Sequence, residues 1–105
     1  MTRAAFKMKL KNASFIDEYK RRHDEIWPEL RILLAEAGVP DYSIFFDQET
    51  LTLFAVQKVS GDGGSQDLGK NPIVRKWWDY MADIMETEED NAPVSIPLTE
   101  VFHLE

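Results

Sequence analysis

Two histidines are the only side chains of this chain with an ordinary pKa near neutrality, and one of them, His23, follows Tyr19 by four residues. That spacing places an imidazole and a phenol one turn apart on one helix face. An imidazole with a pKa of about 6.5 both gives and takes protons at physiological pH. Beside a phenol in an aromatic pocket it suits general acid or base work. Its place near a helix C-terminus favours the protonated form. The simpler account of the same pattern is a buried histidine bonded to a backbone carbonyl. His103, near the end of the chain, reads as a partly exposed strand residue on the face of Val101. Trp77, Trp78 and Tyr80 crowd a second helix. Consecutive helical residues point about 100° apart, so both tryptophans cannot fill one core position, and one packs while the other lines a cavity. Aromatic rings stack on the apolar faces of sugars, and an indole N–H donates to a hydroxyl. Plain core packing explains Trp77 equally well.

Other chemistries find no residues. With no cysteine among 105 residues, disulfides, zinc–thiolate sites and thiol nucleophiles are excluded. His23, Asp24 and Glu25 are consecutive and fan around a helix, so no metal site is expected. Gly61, Gly63 and Gly64 resemble part of a phosphate loop, but no Lys-Ser or Lys-Thr pair follows, and Ser60–Ser65 reads as a flexible turn. No strand-to-helix serine elbow is visible. The net charge of −7 argues against a nucleic-acid partner, which would require a basic stripe. The one basic run, Lys20-Arg21-Arg22, reads as a solvated helix face. No apolar run reaches the roughly 20 residues of a membrane helix, and residues 1–7 hold no signal-peptide stretch. The expectation is a cytoplasmic protein without membrane association.

The elements that must position these groups follow from periodicity. Ala4, Phe6, Met8 and Leu10 alternate with Ala5, Lys7, Lys9 and Lys11 and predict a first strand. Ser14-Phe15-Ile16-Asp17, a weak capping box, opens a helix carrying Phe15, Tyr19 and His23 on one face. Pro28 breaks it, and Leu30, Leu33, Leu34 and Ala37 continue as a second helix ending at Gly38. Tyr42–Asp47 and Leu51–Val59 form a hairpin about Gln48-Glu49-Thr50. Asn71-Pro72 caps a helix running to about Met85, with Ile73, Trp77, Met81 and Ile84 inward. A solvated acidic loop leads to a last strand over about Ser95–Leu104. This single domain over residues 1–105 is α+β, with the ferredoxin-like βαββαβ order: a four-stranded antiparallel sheet with helices on one face. The adjacent pairs Phe45-Phe46, Leu53-Phe54 and Ala55-Val56 place apolar groups on both sheet faces, which predicts a homodimer through the uncovered one.

Four segments resemble the L-rhamnose mutarotases and together span nearly the whole chain. They are residues 19–30 (Tyr-Lys-Arg-Arg-His-Asp-Glu-Ile-Trp-Pro-Glu-Leu), Asp41-Tyr42-Ser43-Ile44, residues 76–85 around Trp77-Trp78, and Asp90–Ser95 running on to Glu100–Leu104. The resemblance implies a dimeric α/β barrel type of fold and an isomerase of the aldose 1-epimerase type that interconverts the α and β anomers of L-rhamnose. It implies His23 as the catalytic acid–base group, with Tyr19, Tyr42, Trp77 and Trp78 contacting the sugar. No metal or organic cofactor is implied.

Mutarotation opens a hemiacetal ring and recloses it on the other face of the carbonyl, so two proton-handling groups suffice. On this view His23 protonates the ring oxygen and takes the proton back. The residues leave its partner open between Tyr19, Tyr42 and a bound water. They also leave the sugar open among L-rhamnose, L-fucose and similar molecules. Two other classes fit the same residues: a cofactor-free ferredoxin-like monooxygenase acting on aromatics, and a non-catalytic sugar-binding module.

Overall fold

Helix boundaries in this protein are set by proline, glycine and asparagine at defined positions. The structure, a computed structural model, describes residues 2–60 and 64–105. Strand β1 covers Thr2–Lys9, helix α1 Ile16–Asp24 and helix α2 Pro28–Glu36. Pro28 stands at the first position of α2 behind an extended Trp27, where its missing N–H costs nothing. Gly38 ends α2 at φ 88°, and the Gly38 and Val39 amides bond the carbonyls of Ala35 and Leu34 at 3.1 and 2.8 Å. This is the closure that left-handed glycine permits. Strands β2 (Asp41–Asp47) and β3 (Thr52–Val59) form the expected hairpin. Helix α3 covers Pro72–Met81 and strand β4 Ile96–Leu98. The Asn71 side chain accepts the Ile73 amide at 2.9 Å and caps α3.

The sheet order is β2-β3-β1-β4, with every described pairing antiparallel. Its register fixes which residues face the helices. Met8 opposes Leu53, Phe6 opposes Ala55, Ile44 opposes Ala55 and Tyr42 opposes Gln57. These form the inner face, and Leu53, Ala55, Gln57 and Val59 on β3 are all buried. Phe45, at 64% exposure, and Phe54 lie on the other face with Ile96 and Leu98.

Several boundaries differ from those read in the sequence. Asn12, not Ser14, accepts the cap bond, from the Ser14 amide at 2.8 Å, and it caps a 3-10 turn over Ala13–Phe15 ahead of α1. Leu51 belongs to the hairpin turn, at φ 60°. Helix α3 stops at Met81 because the chain must turn back to β1, where Lys11 N–H bonds the Ile84 carbonyl and Leu10 bridges Met85. The last strand is three residues long. Leu98 opposes Ala5 at its end, and residues 99–105 form no strand. His103 therefore lies outside any strand, exposed and bonded to Arg3. The glycine turn at residues 61–63 lies outside the described residues.

Arg22 is a further departure. It is 9% exposed, not part of a solvated face. Its guanidinium donates to Glu18 at 2.6 Å, to both Asp83 carboxylate oxygens at 2.8 and 3.2 Å, and to the Tyr80 carbonyl at 2.9 Å. It also lies 4.6 Å over the Tyr80 ring. This clasp fixes α1 against α3, and therefore His23 against Trp77. Arg21 and Arg22 hold the Glu18 carboxyl down at about 2, and Arg22 holds Asp83 below the usual carboxylate range. Lowered carboxyl values mean that the stabilisation is complete above the ordinary value and fades as pH falls through the lowered one. Arg22→Ala is expected to cost about 2 kcal/mol at pH 7, and to flatten the acid limb of stability below about pH 4.5. Thermal melts across pH check both.

Candidate active site

The face carrying Tyr19 and His23 is turned inward by the packing of α1 on the sheet, and α3 closes over it. Between them lies a cavity of about 290 Å³. His23, Tyr19, Tyr42, Trp77 and Trp78 all line it. The five residues singled out in the sequence are thus brought to one place from α1, β2 and α3.

His23 is held on three sides. Its Nδ1–H donates to the Tyr19 carbonyl at 3.0 Å. A carbonyl only accepts, so this bond fixes the proton on Nδ1 and leaves Nε2 as the nitrogen with a free lone pair in the neutral ring. The Tyr19 ring stacks on it at 4.3 Å and 29°, and Trp77 meets it edge-on at 5.4 Å and 90°. Burial pushes the imidazole below its ordinary value, against the opposing pull of the Tyr19 carbonyl and Asp24. The helix terminus therefore does not deliver the protonated form expected from position alone, because desolvation outweighs it. The carbonyl-bonded histidine and the site histidine are one residue.

Both tryptophans are buried and both line the cavity, so the division into one packing and one lining ring does not hold. They lie side by side on α3, and the cavity is wide enough to touch both. Trp77 also meets Trp27 at 5.1 Å and Tyr80 at 5.7 Å, which makes an aromatic wall across the α1–α2 break. Trp78 is backed by Gly69, where a Cβ would stand 2.9 and 3.0 Å from its ring. Gly69→Ala should therefore force this buried ring to move, costing about 1–3 kcal/mol and weakening ligand binding. Tryptophan fluorescence and a sugar titration read the shift.

The phenols differ in setting. Burial raises both above the ordinary tyrosine value. The polar side chains of Ser65 and Gln57 near Tyr42 oppose the rise there, whereas for Tyr19 burial acts with the Tyr42 phenol. Sequence reading passed over Gln57 and Ser65. Gln57 carried a signal, since it is the one amide at an inward position of β3's alternation. The rest of the lining is aliphatic, with Leu30, Leu34 and Ile44 among it. No group of three or more carboxylate, histidine or cysteine side chains among the described residues could hold a metal ion.

Fold and site together define a small α+β domain whose sheet and helices enclose an aromatic, largely apolar cavity around one neutral imidazole. A family model described as L-rhamnose mutarotase matches residues 3–104. An L-rhamnose mutarotase of Formosa agariphila is 65% identical over 105 residues, all of both chains, and one of Bacteroides thetaiotaomicron is 63% identical over the same span. A crystal structure of L-rhamnose mutarotase from Formosa agariphila superposes with a TM-score of 0.91 at 60% identity, covering both chains fully. The chain belongs to the L-rhamnose mutarotase family.

Proposed function

We propose that this protein interconverts the α and β anomers of L-rhamnose, with His23 as a proton-transfer group acting directly on the sugar. The observation that carries this reading is the neutral His23 ring, anchored through Nδ1 and stacked on Tyr19 in the wall of a sugar-sized cavity. The choice of sugar follows the names of the relatives.

The neutral tautomer has no proton on Nε2 to give. In ring opening, then, Nε2 accepts the proton of the anomeric hydroxyl while a second group protonates the ring oxygen. The bond between C1 and the ring oxygen breaks, and the open-chain aldehyde turns about C1–C2. Reclosure on the other face returns both protons. This reverses the order of transfers read from the sequence. Trp77 and Trp78 offer apolar surface to the ring, and the aliphatic lining suits the methyl group of a 6-deoxy sugar.

The uncovered sheet face carries Phe45, Phe54, Ile96 and Leu98, and the chain end adds Val101, Phe102 and Leu104. An apolar face of this kind supports a homodimer packed through the sheets. Sedimentation velocity should give a dimer mass, shifted toward monomer by Phe45→Glu. No helix among the described residues is long and apolar enough to cross a membrane. The acidic balance supports a protein without a nucleic-acid partner, and a cysteine-free sequence fits a reducing cytoplasm.

Exchange NMR over a panel of 6-deoxy and ordinary aldoses tests the substrate. L-Rhamnose should be the most accelerated. Equal acceleration of all sugars would remove the assignment. Oxygen uptake with aromatic substrates, expected at background, would instead support the monooxygenase if it rose.

A further inference from the structure

The two ends of the cavity differ in chemistry, and the strand register says how far apart they lie. At one end stand Met8, Met81, Met85 and Pro93. Met8 points inward two residues before Leu10, and Leu10 bridges Met85. Met81 precedes Met85 by four residues. Pro93 returns to the same place, because it bridges Thr87, and the neighbouring Glu86 amide bonds the Lys9 carbonyl at 3.0 Å. The three methionines are buried and Pro93 is half-buried. None of these four side chains carries a hydrogen-bond donor, and thioether sulfur is only a weak acceptor.

Tyr42 stands at the other end. It opposes Gln57, Gln57 opposes Ala4, and Ala4 lies four residues, about 13 Å, from Met8 along β1. Ser65, whose amide bonds Gln57, lines the cavity at that end. A 6-deoxyhexose has matching sides. Its hydroxyls sit on C1 to C4, and its one apolar edge is C5 with the C6 methyl. C6 is two bonds from the ring oxygen, so the group that seats it must adjoin the proton-transfer site. Met81 does so: it follows Trp77 by one helical turn, and Trp77 meets the His23 ring at 5.4 Å.

Building on the anomer-exchange reading, we propose that Met8, Met81, Met85 and Pro93 are specificity-determining residues, which seat the C6 methyl and select 6-deoxy sugars over their 6-hydroxy counterparts. A C6 hydroxyl placed here leaves water and meets no side-chain donor and only weak side-chain acceptors, which disfavours it. Methionine suits the seat, since its flexible thioether fills irregular space around a small group.

The test is kcat/KM for anomer exchange of three sugars. L-Rhamnose is compared with L-mannose, which adds only the C6 hydroxyl, and with L-fucose, which keeps the methyl and changes other hydroxyls. Wild type should prefer L-rhamnose to L-mannose by about 10- to 100-fold, the range in which an apolar pocket rejects an added hydroxyl. Met85→Gln, near in shape but able to bond a hydroxyl, should narrow that ratio by about 10-fold. The ratio of rhamnose to fucose should be unchanged. Met85→Leu, which stays apolar, should keep the preference for L-rhamnose over L-mannose. A residue that only held the fold would slow all three sugars alike and move neither ratio. Pro93→Ser, at a half-buried position, makes the same test if Met85→Gln does not fold. Equal rates for rhamnose and mannose in the wild type overturn the inference. So does a rhamnose-to-mannose ratio that stays fixed in the folded polar variant, or that moves only together with the fucose ratio. If the wild type speeds exchange of none of the three sugars, the proposed function fails instead.

Discussion

His23→Ala should lower kcat for anomer exchange by about 100- to 10,000-fold, the range general acid–base groups contribute. kcat/KM should fall in step, because Nε2 acts on the reacting proton and not on the resting sugar. The fold should survive, since the loss is one stacked ring and one hydrogen bond to a carbonyl, about 1 kcal/mol. The wild-type pH profile carries a second expectation. Burial holds His23 below its ordinary value of 6.5, so the base form persists at pH 6.5 and activity falls only as pH drops through the lowered value. An acid limb centred at or above 6.5 would contradict the buried, neutral ring. The stability linkage has the same direction. Below 6.5 the unfolded chain takes up a proton that the folded ring resists, so stability declines with falling pH over that window.

Trp77→Ala is expected to be the most damaging core change. The indole is buried, meets His23 edge-on, and packs against Trp27 and Tyr80 across the break between the first two helices. Removing such a ring costs about 3–5 kcal/mol. For a domain of this size each kcal/mol lowers Tm by about 4–8 °C, so the melt should shift by tens of degrees. The surviving folded fraction should also exchange anomers slowly, because the wall holding the imidazole edge is gone. Trp77→Phe keeps a ring in place and should recover much of both. Circular-dichroism melts with exchange rates at a temperature where each variant is folded separate the two losses. A shift of a few degrees would mean that α1 and α3 are joined chiefly by the Arg22 clasp.

The parts of this account legible in the sequence are those written in local chemistry. Pro28 and Gly38 delimit α2, Asn71-Pro72 opens α3, and alternation in β2 puts Phe45 and Phe46 on opposite faces. Tyr19 and His23 share a helix face by spacing alone. Arg22 was harder because a basic run looks solvated, yet it stands three residues after Tyr19 and therefore on the buried side. Tyr42 drew notice only through resemblance, since nothing local to β2 tells that a cavity opens in front of it. Gln57 shows in the sequence only as an inward amide of β3, and its bonds to Ser65, eight residues on, follow no local pattern. The overlong last strand came from reading alternation as pairing, when only Ile96–Leu98 bond to β1.

The claim that this cavity interconverts rhamnose anomers is tested most directly by two-dimensional exchange NMR on equilibrated L-rhamnose. With wild-type protein, cross-peaks linking the α and β anomeric protons should grow in proportion to protein concentration, and with His23→Ala they should fall back toward the spontaneous rate. Cross-peaks that stay at the spontaneous rate with folded, rhamnose-bound wild type, or that are undiminished in His23→Ala, would contradict the account.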